Sequence, residues 1–150
     1  MILTRRAALA ALAAVPLIRA TSAQAAAPPV IQVVKTPSCG CCNAWVAHLR
    51  RAGFQVRVTD VADVTPTARR LGVPDDLRSC HTASAGGYAI EGHVPAGDII
   101  RLLRQRPAAA GLAVPGMPMG SPGMEAGGRG EPYRVFLFTR AGRRTVFAQH

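Results

Sequence analysis

Lysine is nearly absent from this chain of 150 residues: Lys35 is the only one, so the basic charge is carried by arginine. Aromatic residues make up 5% of the sequence, and none is interleaved with the arginines, which are scattered as Arg50-Arg51, Arg69-Arg70, Arg101, Arg104 and Arg143-Arg144. A base-stacking platform needs aromatics beside its basic groove. A nucleic-acid partner is therefore not expected, although the formal net charge is +10. The charge reads instead as a solvated surface with weak attraction to polyanions. Beyond the N-terminal stretch no apolar run is long enough to cross a bilayer, so no transmembrane segment is expected there. No internal repeat is visible.

The N-terminus has the parts of a secretory signal peptide over residues 1–25. Arg5-Arg6 give a charged start, Ala7 to Ile18 is a short apolar run broken by Pro16, and Ala23-Gln24-Ala25 is a small-x-small cleavage site. Thr4-Arg5-Arg6-Ala7-Ala8-Leu9 resembles a twin-arginine export signal, with an ordinary Sec signal as the alternative. Cleavage near Ala25 leaves one domain, residues 26–150, outside the cytoplasm. Removal of Arg5, Arg6 and Arg19 takes three units from the net charge.

Val30 to Lys35 reads as a buried strand. Ser38 is the expected N-cap of a helix from about Cys39 to Ala52, with Trp45, Val46 and Leu49 on one face and Gly53 as its stop. Phe54 to Thr59 alternates as a second strand, and Pro66 to Leu71 is a short helix. Leu77 to Ala83 and Tyr88 to Val94 read as strands joined through Gly86-Gly87. Pro95 opens a helix from Ala96 to Arg104 with Ile99, Ile100, Leu102 and Leu103 as its apolar face. Pro107 to Pro132 is a long Pro/Gly/Met loop of a kind that is usually functional. Arg134 to Thr139 and Thr145 to Ala148 form a C-terminal hairpin. The fold class is α/β. A strand running into a helix that opens with cysteines resembles a thioredoxin-like domain, here extended by the loop and the hairpin.

Three of the four cysteines, Cys39, Cys41 and Cys42, fall within four residues, and Cys80 is the fourth. At a helix N-terminus the unpaired N–H groups and the dipole favour thiolates. A thiolate there is both a nucleophile and a metal ligand. Structural disulfides are one reading, but three thiols this close make a poor framework, and a Cys39–Cys42 bridge closes too small a loop to stabilise much. Thiol–disulfide exchange through Cys39 and Cys42 is a second reading. It leaves Cys41 unexplained, and Cys80-His81 occupies the place where thioredoxin-like oxidoreductases carry a cis-proline. Zinc is a third, though a second pair of spaced ligands is missing. Clustered thiolates suit copper(I), because softness selects it. Met117, Met119 and Met124 add thioether sulfur in a segment whose prolines exclude a helix; their role is either ligation or packing of a flap over the core. His81, beside Cys80, is the leading imidazole candidate. His93 is a ligand or a satisfied polar group, while His48 and His150 are expected to be solvated.

Thr36-Pro37-Ser38-Cys39-Gly40-Cys41-Cys42, Ser79-Cys80-His81-Thr82-Ala83, Gly87-Tyr88-Ala89-Ile90-Glu91-Gly92-His93-Val94-Pro95 and Gly111 to Pro118 with Gly120 to Glu125 occur in one order. Together they resemble the CopG-type copper-resistance proteins and their metal-binding relatives over residues 30 to 148. The resemblance implies a periplasmic thioredoxin-like protein whose cysteines bridge several Cu(I) ions, with other periplasmic copper-handling proteins as partners. Carried over, Cys39, Cys41, Cys42 and Cys80 are the thiolate ligands, with His81, Met117 and Met119 as further metal candidates. No catalytic residue is assigned. The rival function is a periplasmic thiol–disulfide oxidoreductase using Cys39 and Cys42.

Overall fold

A computed structural model describes residues 29–125, 127 and 130–150. The expected signal peptide and its cleavage site lie outside the described residues. Among those described, no helix is long and apolar enough to cross a membrane.

The strands are β1 (Ile31–Lys35), β2 (Val56–Asp60), β3 (His81–Ala85), β4 (Tyr88–Glu91), β5 (Gly111–Ala113), β6 (Arg134–Phe138) and β7 (Arg144–Gln149). The helices are α1 (Gly40–Arg51), α2 (Thr65–Leu71) and α3 (Ala96–Gln105). One mixed sheet runs β2-β1-β3-β4-β5-β6-β7. β1 pairs parallel with β2, as the α1 crossover between them requires. β3 and β4 form the hairpin across Gly86-Gly87, both glycines at positive φ.

Alternation along the strands divides the core between two faces. Trp45, Val46 and Leu49 of α1 and Ile99 and Leu102 of α3 pack with Ile31, Val33, Ile90 and Leu112 on one face. Ala68 of α2 packs with Val73, Leu77, Ala89, Ala113 and Phe138 on the other. Neighbouring residues such as Ala89 and Ile90 thus point to opposite layers, as the two-residue period of a strand dictates. Lys35, the single lysine, is buried at the end of β1 and paired with Asp60 of β2 at 2.7 Å.

The structure departs from the sequence reading at several points, among them that the fourth strand ends at Glu91, short of Val94, and that Ile100 of α3 is exposed. The N-cap of α1 is Cys39, whose Sγ accepts from the Cys42 N–H, and not Ser38. A sulfur takes the position that an oxygen usually fills. The third strand begins at His81; Leu77 instead closes a 3-10 turn, Asp75–Leu77. The Pro107–Pro132 segment is not loop throughout, because β5 inserts between β4 and β6 and joins the C-terminal hairpin to the main sheet. His48 and His150 are engaged: His48 Nε2 accepts from the Ala96 N–H at the start of α3, and His150 Nε2 lies 2.7 Å from Asp98 Oδ2.

Candidate metal centre

The first turn of α1 and the chain entering β3 meet at one end of the sheet. There the sulfurs of Cys39, Cys41, Cys42 and Cys80 lie within 4.8 Å of one another. Cys39 and Cys42 are joined by a disulfide, while Cys41 and Cys80 are free. Each free thiol sits beside one sulfur of the bridge: Cys41 at 3.5 Å from Cys39, and Cys80 at 3.5 Å from Cys42. Cys41 and Cys80 are 3.9 Å apart. The bridge joins the same pair, Cys39 and Cys42, that the sequence reading offered for thiol–disulfide exchange.

Cys80 also belongs to a second constellation, with His81 and His93. Its Sγ is 3.4 Å from His81 Nδ1 and 3.1 Å from His93 Nε2. His93, left open by the sequence, is the nearer imidazole. Extending the hairpin register of Thr82 opposite Glu91 by two residues places His93 across from Cys80. The Gly86-Gly87 turn carried that signal. On its far side His93 Nδ1 is 2.8 Å from the Pro122 carbonyl, which accepts from it. A fixed Nδ1–H leaves Nε2 as the free lone pair facing Cys80, the usual orienting device of an imidazole ligand. His81 lies between Trp45, 4.3 Å from its ring, and His93, and its Nε2 has no hydrogen-bond partner.

The Pro/Gly/Met segment reaches the centre through Pro122 and Gly123. A Cβ on Gly123, at φ +88°, would meet the Cys41 carbonyl and the Trp45 nitrogen, each at 2.7 Å. Only glycine lets the chain lie this close to α1. Met117 is 51% exposed and Met119 is half-buried. The backbones of Met119 and Met124 brace the segment, since the Met119 carbonyl accepts from the Glu131 N–H and the Met124 carbonyl from the Gly120 N–H. The flap packing that was the alternative for these methionines does not hold for Met117.

Electrostatics at the centre favour neutral groups. Burial, then the neighbouring Cys41, push the Cys80 thiol up to about 12. A soft cation would have to displace that proton. Burial and then His93 push His81 down to about 3, and burial lowers His93 as well. Both rings are then neutral near pH 7, the form that ligates metal.

These shifts predict acid sensitivity of the metal-free protein. The unfolded chain protonates its histidines near pH 6.5, whereas native His81 resists down to about 3. Its contribution to stability is full above pH 6.5 and is lost as the pH falls toward 3, at about 1.4 kcal/mol per pH unit. His93 and His48, also lowered, act in the same direction. Glu91, raised by burial, acts oppositely, losing stability as pH rises through its native pKa. The urea midpoint of the metal-free protein should fall more steeply between pH 7 and pH 5 than that of His81→Phe. Equal slopes would refute the assignment.

Residues 77–124 match a family described as "Protein of unknown function, DUF411". Two solved structures, described as copper resistance protein CopG in form 1 and form 2, are each 47% identical to this chain. Each match covers 82% of this chain and 98% of the other, with TM-scores of 0.77 and 0.78. No curated protein matches.

Proposed function

The chain belongs to the CopG family of copper resistance proteins, and from that premise we propose that it is a periplasmic copper(I)-binding protein of copper resistance or homeostasis. The observation that carries the reading is the convergence of four cysteine sulfurs from two separate elements within 4.8 Å. Thiolates at that spacing can each bridge two soft ions, and softness selects Cu(I) over zinc. In this reading Cys39, Cys41, Cys42 and Cys80 hold several Cu(I) ions after the bridge is reduced. His81 and His93 supply neutral nitrogen, and Met117 and Met119 bring thioether sulfur when the segment tightened by Pro122 and Gly123 closes further. The Arg5-Arg6 signal supports export to the periplasm, by the twin-arginine route, with cleavage near Ala25. The sheet order β2-β1-β3-β4, with α1 and α3 on one face, supports a thioredoxin-like core. Other periplasmic copper-handling proteins are the natural donors and acceptors.

A second reading, thiol–disulfide exchange by Cys39 and Cys42, is favoured by the bridge itself. Cys41 separates the two. Cys41→Ser should weaken Cu(I) binding by more than about tenfold, the penalty that even outer-shell partners of a metal carry, and should leave disulfide reduction of a model peptide near wild type. Copper binding unchanged in Cys41→Ser, with disulfide reduction abolished in Cys39→Ser, would favour the exchange enzyme. In the same titration a Met117→Leu, Met119→Leu double variant keeps the bulk and removes the sulfur; unchanged copper affinity and exchange rate would exclude both methionines from ligation.

A further inference from the structure

Glu91 is fully buried at the end of β4, and neither disulfide nor metal chemistry requires a carboxylate there. Its two oxygens are both occupied. Oε1 accepts from the Ser79 N–H at 2.8 Å, and Oε2 accepts from the Thr82 hydroxyl at 2.6 Å. Ser79 precedes Cys80 and Thr82 follows His81, so the one carboxylate brackets the Cys80-His81 pair. The last ladder bond of the hairpin is from the Gly92 N–H to the His81 carbonyl. Beyond it the Ser79 N–H has no strand partner, and Glu91 supplies the missing acceptor. Arg78 Nε, 3.6 Å from Oε1, balances the charge. A second grip comes from the Pro/Gly/Met segment: Gly116 donates to the Arg78 carbonyl at 3.2 Å, and the Ser79 hydroxyl donates to the Gly116 carbonyl.

We infer that Glu91 is the positioning residue of the candidate metal centre, setting Cys80 and His81 against α1 and carrying the placement of the Gly116 segment to them. The inference rests on the copper reading for its purpose but not for its geometry. A carboxylate suits the place because both neighbours are donors. Glutamine can replace it: its carbonyl accepts from Ser79, and the Thr82 hydroxyl turns to accept from its amide. Alanine cannot.

The test compares Glu91→Ala, Glu91→Gln and wild type, all reduced, by two readouts. One is Cu(I) affinity against a competing chelator. The other is the alkylation rate of Cys80 by iodoacetamide in metal-free protein, read by peptide mass spectrometry. Loss of an outer-shell partner typically costs 10–100-fold in metal affinity. Glu91→Ala should show a loss of that order and faster Cys80 alkylation, with Glu91→Gln close to wild type in both. A folded Glu91→Ala with wild-type affinity and alkylation would overturn the inference and leave Glu91 a merely structural ion pair. If Glu91→Ala does not fold, Thr82→Val removes one arm alone: smaller shifts in the same directions uphold positioning, and wild-type values overturn it. A wild type that takes up no copper would overturn the metal reading, while the alkylation rates would still decide the part played by Glu91.

Discussion

Reduced and kept from air, the protein should take up more than one Cu(I) per chain; with Cys39 and Cys42 bridged it should take up fewer ions and hold them less tightly. The reason is donor count. A disulfide sulfur has given up the charge that makes a thiolate a strong ligand and a bridge between ions. With the Cys39–Cys42 bond in place, the free thiols are Cys41 and Cys80 alone, joined by the two imidazoles. Breaking it takes two electrons and two protons and returns two thiols to a cluster whose members already stand within 4.8 Å. Little rearrangement is then needed on metal entry, so the gain in affinity is not spent on ordering the chain. The measurement is metal content after anaerobic titration of the two forms, with the bridge verified by mass. Equal copper uptake by both would remove the bridge from the account. One tightly held zinc with no preference for copper would overturn the copper reading itself.

The parts of the centre differ in how far the amino-acid sequence reveals them. Cys39, Cys41 and Cys42 declare themselves by spacing, and the strand before them and the glycine after α1 place them at a helix start. Cys80 is harder, since it lies 38 residues from its nearest sulfur neighbour, Cys42; its sequence signal was the adjoining His81 and the family-like block around it. His93 was legible in principle, because a two-residue glycine turn sets the register that brings it opposite Cys80. Glu91 follows from the same register, but a single carboxylate in a strand carries no sign of whether it faces solvent or the neighbouring strand end. The Pro122 carbonyl could not be foreseen: every residue has one, and only the folded chain selects which faces a histidine. β5 was missed for a related reason. Three residues, Gly111 to Ala113, are too few to show a period, and a strand inside a Pro/Gly-rich segment is made by the partners β4 and β6 rather than by its own pattern.

Cys80→Ser should be the most damaging single change to metal binding and among the mildest to the fold. Cys80 is the one residue common to both ligand constellations: its sulfur lies 3.5 Å from Cys42, 3.9 Å from Cys41, 3.4 Å from His81 Nδ1 and 3.1 Å from His93 Nε2. Removing it separates the thiolates of α1 from the imidazoles of the hairpin, so neither group can be completed by the other. Serine also exchanges a soft sulfur for a hard oxygen that copper(I) does not favour. The loss in affinity should exceed the roughly 10–100-fold typical of an outer-shell partner. The fold has little at stake, because Cys80 precedes β3, is only half-buried and lies outside both hydrophobic clusters; the change in stability should be about 1 kcal/mol or less. Copper titration and urea unfolding of the same preparation separate the two effects. If the variant binds copper with wild-type affinity and count, Cys80 lies outside the working site and the two constellations do not form one centre. If instead it loses copper only because it unfolds, the midpoint in urea will have dropped with it, and the sulfur will have been a structural member of the cluster before it was a ligand.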